Sequence, residues 1–107
     1  MRVLELSETR SIEKSPLVEK QRAIPAPGYG ELLIQVSACG ICHTDLHIIE
    51  GDIHPPRLPI IPGHQVVGSV QAVGPGVGGW SVGDAAGVPW LYRACRKCEY
   101  CIRGEEN

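Results

Sequence analysis

Cys95-Arg-Lys-Cys98-Glu-Tyr-Cys101 places three cysteines at strict two-residue gaps in a chain of 107 residues. A C-x-x-C pair lets both sulfurs turn inward on one tight loop, and the interlocked second pair brings a third thiolate to the same centre. That is the donor set of a zinc or iron site. Three thiolates require a fourth donor, which is expected beyond Asn107. Two other uses of cysteine compete, a disulfide framework and small buried hydrophobes. Against both stand the odd total of five cysteines, a polar and charged stretch from Met1 to Pro16 with no likeness to a secretory leader, and the poor leverage of adjacent pairs as cross-links.

A second group of candidate ligands lies upstream. Cys39 and Cys42 form another C-x-x-C, and the segment Cys42-His43-Thr44-Asp45-Leu46-His47-Ile48-Ile49-Glu50 runs without a turn residue to Gly51. A short helix there sets His43 and His47 one turn apart on one face. Further on, Gly63-His64-Gln65 follows a proline-stiffened loop, Leu58-Pro59-Ile60-Ile61-Pro62. Spacing permits two arrangements. Cys39, Cys42, Cys95 and Cys98 can converge as a four-thiolate ribbon, which leaves Cys101 and the histidines idle. Alternatively Cys42 and His64 share a separate ion that keeps an open position, the form of a catalytic zinc acting as Lewis acid.

These groups need a scaffold, and the composition points to a mainly β one. Thirteen glycines, nine prolines and no phenylalanine surround short Val, Ile and Leu runs, which favours brief strands joined by turns. Strands are expected at 2–6, 17–22, 31–38, 65–73 and 87–91. Within 31–38, Leu32, Ile34 and Val36 alternate with Leu33, Gln35 and Ser37, the pattern of one inward face. Gly74-Pro-Gly76-Val-Gly-Gly79 satisfies G-x-G-x-x-G, yet Trp80-Ser-Val-Gly-Asp84 has neither the length nor the period of the helix a dinucleotide site must open. It reads as a turn.

The length suits one domain, spanning 1–107, that buries about two-thirds of its unfolded surface. A net charge of −2 with scattered Lys and Arg gives no footprint for nucleic acid, and no apolar run is long enough to span a bilayer. The expected setting is the cytoplasm.

Gly40-Ile-Cys42-His-Thr-Asp-Leu-His47, Gly63-His64, Val82-Gly83-Asp84 and the triple cysteine together resemble the N-terminal half of zinc-dependent alcohol dehydrogenases, in the medium-chain dehydrogenase/reductase superfamily. Essentially the whole chain is covered, and Gly79 to Leu91 is most similar to the yeast and bacterial alcohol-active branch. The resemblance implies a GroES-like β-barrel catalytic domain with short helices, normally followed by a Rossmann domain, which is expected to be lacking from these 107 residues. It implies Cys42 and His64 as catalytic zinc ligands, with the third beyond Asn107, and Cys39 as a spectator. Thr44 matches the hydroxyl that takes the alcohol proton, and His47 the residue that passes it outward through the cofactor ribose. Asp45 matches the carboxylate that orients the zinc-binding histidine, and His43 a residue touching the cofactor pyrophosphate. Cys95, Cys98 and Cys101 match three of four structural zinc ligands, so both zinc sites are expected to be incomplete in this chain.

The implied activity is oxidation of small alcohols to aldehydes or ketones by hydride transfer to NAD or NADP, in a homodimer or homotetramer; the chain alone is expected to be inactive. Two positions depart from the pattern. Gln65 stands where the family usually has glutamate, which leaves a neutral amide behind the zinc. Ile53 replaces a tryptophan that often follows Gly-Asp, while Trp90 matches a pocket-lining tryptophan, so the slot is expected to be wider than ethanol needs. A non-catalytic zinc ribbon and an iron-sulfur or rubredoxin-like carrier are the rival readings.

Overall fold

The computed structural model describes residues 1–91 and 93–106; the expected 1–107 domain thus includes Tyr92 and Asn107, which lie outside the described residues. It is mainly β, as the composition indicates. Strand β1 (Arg2–Leu6) pairs antiparallel with β2 (Leu17–Gln21), after one 3-10 turn at Ile12–Lys14. A second sheet has the order β3-β4-β5, with β3 at Leu32–Gly40, β4 at Gln65–Val73 and β5 at Ala85–Val88. Helix α1 (His43–Glu50) lies between β3 and β4, and a short helix α2 (Glu99–Arg103) follows the sheet. Among the described residues no helix is long and apolar enough to cross a membrane.

The strand expected at 87–91 instead occupies Ala85–Val88. Pro89 has no N–H to give to a ladder, so pairing stops before it, while Ala85 is held by its partner Ser69. The strand expected at 31–38 runs on through Cys39 and Gly40, which pair with Val66 and Gln65.

The simple alternation read along this strand does not survive. The register slips between Leu33 and Ile34 and again between Val36 and Ala38, leaving Gln71 of β4 and Ser37 of β3 without partners. An extra residue bends and twists the strand that carries it, and Val36, just before the bulge at Ser37, is 49% exposed.

The buried apolar core is small: Leu6, Ile49, Val70 and Ala86. The accessible surface is 7978 Å², against about 5,800 Å² for a compact monomer of this mass, so the expectation of two-thirds burial is not met. A body of 44 × 33 × 20 Å is too thin to enclose more than about two layers, and large side chains such as Ile41 at 90% remain exposed.

The glycine-rich stretch is a turn, as expected. Gly30 N–H donates to Pro75 O at 2.8 Å and Gly74 N–H to Glu31 O at 2.9 Å, joining the loop before β3 to the loop after β4. No helix opens at Gly79; the described residues 80–91 form a turn and then β5.

Candidate metal and proton-transfer site

Two segments converge on the first site. Strand β3 ends at Gly40, and Cys42 then takes an extended conformation as the N-cap of α1. Asp45, three residues on, accepts the Cys42 N–H through Oδ2 at 2.9 Å. This is the backward arm of a capping box, satisfying one of the donors that a helix start leaves open. The same contact fixes the Cys42 backbone and draws Asp45 inward to 5% exposure.

The second segment carries His64. Leu6, fully buried at the end of β1, exchanges both backbone hydrogen bonds with Ile60, at 2.8 and 3.0 Å. That bridge anchors the loop four residues before the histidine. Gly63 then turns the chain with φ +116°, and a Cβ on it would meet Cys39 Sγ at 2.9 Å. Only glycine accepts both the left-handed backbone and the sulfur against it. The exposed Cys39 therefore sets its sulfur against the histidine loop, outside the ligand cluster.

These constraints bring Cys42 Sγ to 3.4 Å from His64 Nε2. With metal–sulfur and metal–nitrogen bonds of about 2.3 and 2.0–2.1 Å, the edge of a tetrahedral zinc site joining such a pair is roughly 3.5 Å, so the residues fit a zinc ion. Behind them Asp45 Oδ1 lies 3.1 Å from His64 Nδ1, within reach but out of hydrogen-bond alignment, and is a buried oxygen with no partner. A buried acceptor facing the ring nitrogen remote from the ligand nitrogen is the arrangement that orients metal-binding histidines.

The remaining expected residues lie mostly on α1 and at the start of β4. Thr44 and His43 are exposed on the first turn of α1, and Gln65 opens β4 opposite Gly40. A Cβ on Gly40 would meet Gln65 Oε1 at 3.3 Å, so the amide lies against that glycine. His43 and His47 share a face, with ring centroids 6.2 Å apart. Trp90 and Ile53 are 58% and 46% exposed.

One residue was missed by the sequence reading. Asp52 Oδ2 is 2.9 Å from His47 Nδ1. The helix closes at Gly51, φ +95°, where the N–H groups of Gly51 and Ile53 both donate to His47 O. This left-handed cap folds the chain back and sets Asp52 beside the ring of the residue being capped. A glycine and an acid directly after a helical histidine were the available signal. An ionised carboxylate only accepts, so Nδ1 carries a proton, and in the neutral tautomer Nε2 is the acceptor nitrogen.

The second cluster is Cys95, Cys98 and Cys101, whose sulfurs all lie within 4.8 Å of one another. Cys95 and Cys101 Sγ are 3.7 Å apart, close to the edge of roughly 3.8 Å between two thiolates on a tetrahedral zinc. Arg96 takes φ +58°, and the Cys98 N–H points at Cys95 Sγ at 3.4 Å. The Lys97 N–H, then the Cys98 N–H and the neighbouring thiols, hold the Cys95 pKa down to about 7. Cys101 stands above its ordinary value: an N–H from Arg96 favours its thiolate, but desolvation and the sulfurs of Cys98 and Cys95 outweigh it. All five cysteines are free thiols. Cys42 groups with Asp45 and His64, and Cys95 with Cys98 and Cys101, so the four-thiolate ribbon is not assembled.

Residues 28–107 match the alcohol dehydrogenase GroES-like domain. The chain is 52% identical over 95 residues to an alcohol dehydrogenase of Geobacillus stearothermophilus, covering 88% of this chain and 28% of that protein. A cobalt- and zinc-bound thermostable alcohol dehydrogenase from Pyrobaculum aerophilum superposes with a TM-score of 0.86 at 31% identity, over 99% of this chain and 31% of that one. An NAD-dependent alcohol dehydrogenase gives a TM-score of 0.86 at 31% identity, over 100% of this chain and 31% of that one. The chain thus spans less than a third of the relatives it matches. With sequence and fold in agreement, it belongs to the alcohol dehydrogenase GroES-like domain family.

Proposed function

We propose that this chain is the zinc-binding catalytic portion of an NAD- or NADP-dependent alcohol dehydrogenase. The observation that carries the reading is the approach of Cys42 Sγ to His64 Nε2 at 3.4 Å with the buried Asp45 carboxylate behind the ring. A zinc ion held there supplies Lewis acidity that brings the pKa of an alcohol proton toward neutral. Thr44 receives that proton from the alcohol, and His47, three residues on along the same helix, accepts it at Nε2 while Asp52 keeps Nδ1 protonated. His43 adds a contact to the cofactor pyrophosphate. A nicotinamide cofactor, when bound, would supply the hydride acceptor needed to take the alcohol to an aldehyde or ketone.

Cys95, Cys98 and Cys101 hold a second, structural zinc in this reading, supported by the 3.7 Å sulfur separation. The relative solved with cobalt and zinc and the one described as NAD-dependent support both cofactor assignments. The working assembly is a cytoplasmic homodimer or homotetramer. Gln65 leaves the centre more electrophilic and slower to exchange its ligand than a glutamate would. Ile53 and the exposed Trp90 make the slot suit longer primary or aromatic alcohols better than ethanol.

The test is made on the full-length gene product, purified without added metal. Two zincs per chain, NAD(P)H formation with a primary alcohol, and loss of one zinc together with activity in Cys42→Ala are the expected results. Full activity in Cys42→Ala, or iron in place of zinc, overturns the reading.

A further inference from the structure

Helix α1 carries a histidine pair that the zinc chemistry at Cys42 and His64 does not use as ligands. His43 and His47 are four residues apart, the spacing at which two imidazoles on one helical face bind a single metal ion. Asp45, the residue of α1 that serves the Cys42–His64 site, is buried, whereas His43 is exposed and the His47 side chain is 45% exposed. The pair therefore lies on the open side of the helix.

We infer that His43 and His47 form an additional binding site for a divalent transition ion of borderline character, such as zinc or nickel, supported from behind by Asp52. Three observations converge on it. The ring centroids are 6.2 Å apart, whereas two imidazoles on one tetrahedral ion stand roughly 5 Å apart at ordinary metal–nitrogen distances, so a modest side-chain rotation closes the site. Asp52 Oδ2 holds the Nδ1–H of His47 at 2.9 Å, so Nε2 is the ring nitrogen available to a metal. That is the carboxylate–histidine–metal order that fixes ring direction and raises ligand basicity. Finally, the Gly51 and Ile53 bonds to His47 O tie Asp52 to the helix end, so the support is part of the fold.

Imidazole donors favour zinc, nickel and copper over calcium or magnesium. The site is open on its solvent side, where water completes the coordination. It does not depend on the dehydrogenase reading, because it needs only α1 and its cap. If that reading also holds, an ion here occupies the lone pair of the relay residue and blocks it, so excess metal inhibits.

The probe is Ni²⁺, added to the chain after its thiol sites have been filled with Cd²⁺ and followed by calorimetry and by broadening of histidine ring proton signals. One further Ni²⁺ per chain is expected, with the His43 and His47 signals broadening before those of His54 and His64. His43→Asn and His47→Asn each weaken that binding on the order of tenfold or more, and His54→Asn leaves it unchanged. Unaltered Ni²⁺ affinity in His43→Asn overturns the inference. So does wild-type broadening that begins at His54 or His64, an outcome that needs no variant to fold.

Discussion

Cys42 Sγ and His64 Nε2 stand 3.4 Å apart although 22 positions separate them, and neither is held there by its own neighbours alone. The cysteine is fixed by the Asp45 carboxylate on its N–H, the histidine by the Leu6–Ile60 bridge and by Gly63 lying over Cys39. Asp45 alone serves both halves. One oxygen caps the helix at Cys42 and the other faces Nδ1 of His64.

From that double role comes the first prediction. Asp45→Asn keeps the size of the side chain but cannot present an acceptor to both the Cys42 N–H and the His64 ring at full charge. Cobalt affinity at the Cys42–His64 pair should fall by roughly 10- to 100-fold. Binding at the triple cysteine, read from its own thiolate charge-transfer absorbance, should hold. Equal affinity at the first site in the variant would remove Asp45 from any orienting role.

The second concerns thiol chemistry. With the Lys97 and Cys98 N–H groups holding Cys95 to a pKa of about 7, its thiolate fraction rises as pH increases through neutrality. In the metal-free chain iodoacetamide should label Cys95 first, with a rate midpoint near pH 7 and an advantage over an ordinary thiol of about threefold, since a less basic sulfur is also less nucleophilic. Zinc should protect it. A labelling midpoint above pH 8 would mean that the N–H contacts do not persist in solution.

Much of this was legible in the sequence, and the failures share a cause. The bounds of β1 and β4, the helix from His43, the cysteine trio and the Cys42–His64 partnership all follow from local spacing or from motif resemblance. The two bulges at Ser37 and Gln71 do not, because a register slip depends on the partner strand and leaves no mark on either strand alone. Asp52 went unread because the residue it serves lies five positions back across a left-handed cap. Glu5 went unread because an acid between Leu4 and Leu6 looks like the outward position of an alternating strand, whereas its cations arrive from β2 and from Arg22 just past it.

Glu5 supports a third prediction. Its side chain is 3% exposed and accepts Lys20 Nζ at 2.7 Å and Arg22 Nε at 3.0 Å. Lys20 first and then Arg22 hold its carboxyl below the ordinary range, against the opposing effect of desolvation. A group whose folded pKa is depressed contributes stability that is complete above the unfolded value, near 4.5, and is lost as pH falls through the folded value. Glu5→Gln should therefore lower the urea midpoint at pH 7, and the gap to wild type should narrow steadily on acidification below pH 4. A gap that is the same at pH 7 and pH 3 would show that the charge itself contributes nothing.

The last prediction rests on the proton relay. A carboxylate at 2.9 Å forces Nδ1 of His47 to be the protonated nitrogen, whereas an unconstrained imidazole prefers its proton on Nε2. Asp52→Ala frees the ring to take that form, and the nitrogen to which the proposed relay assigns the proton from Thr44 is then already occupied. Both side chains are substantially exposed, so the contact adds little to stability and its removal should leave the melting temperature almost unchanged. The effect should fall instead on turnover: kcat for alcohol oxidation by the full-length protein drops on the order of tenfold, with KM for the alcohol little altered, because the interaction governs proton transfer and not binding. Asp52→Asn, whose amide oxygen still accepts the Nδ1 proton, should recover part of the loss. Ring ¹⁵N shifts of His47 report the tautomer directly. If they show Nδ1–H in Asp52→Ala as in wild type, the aspartate does not set the proton position and some other group must.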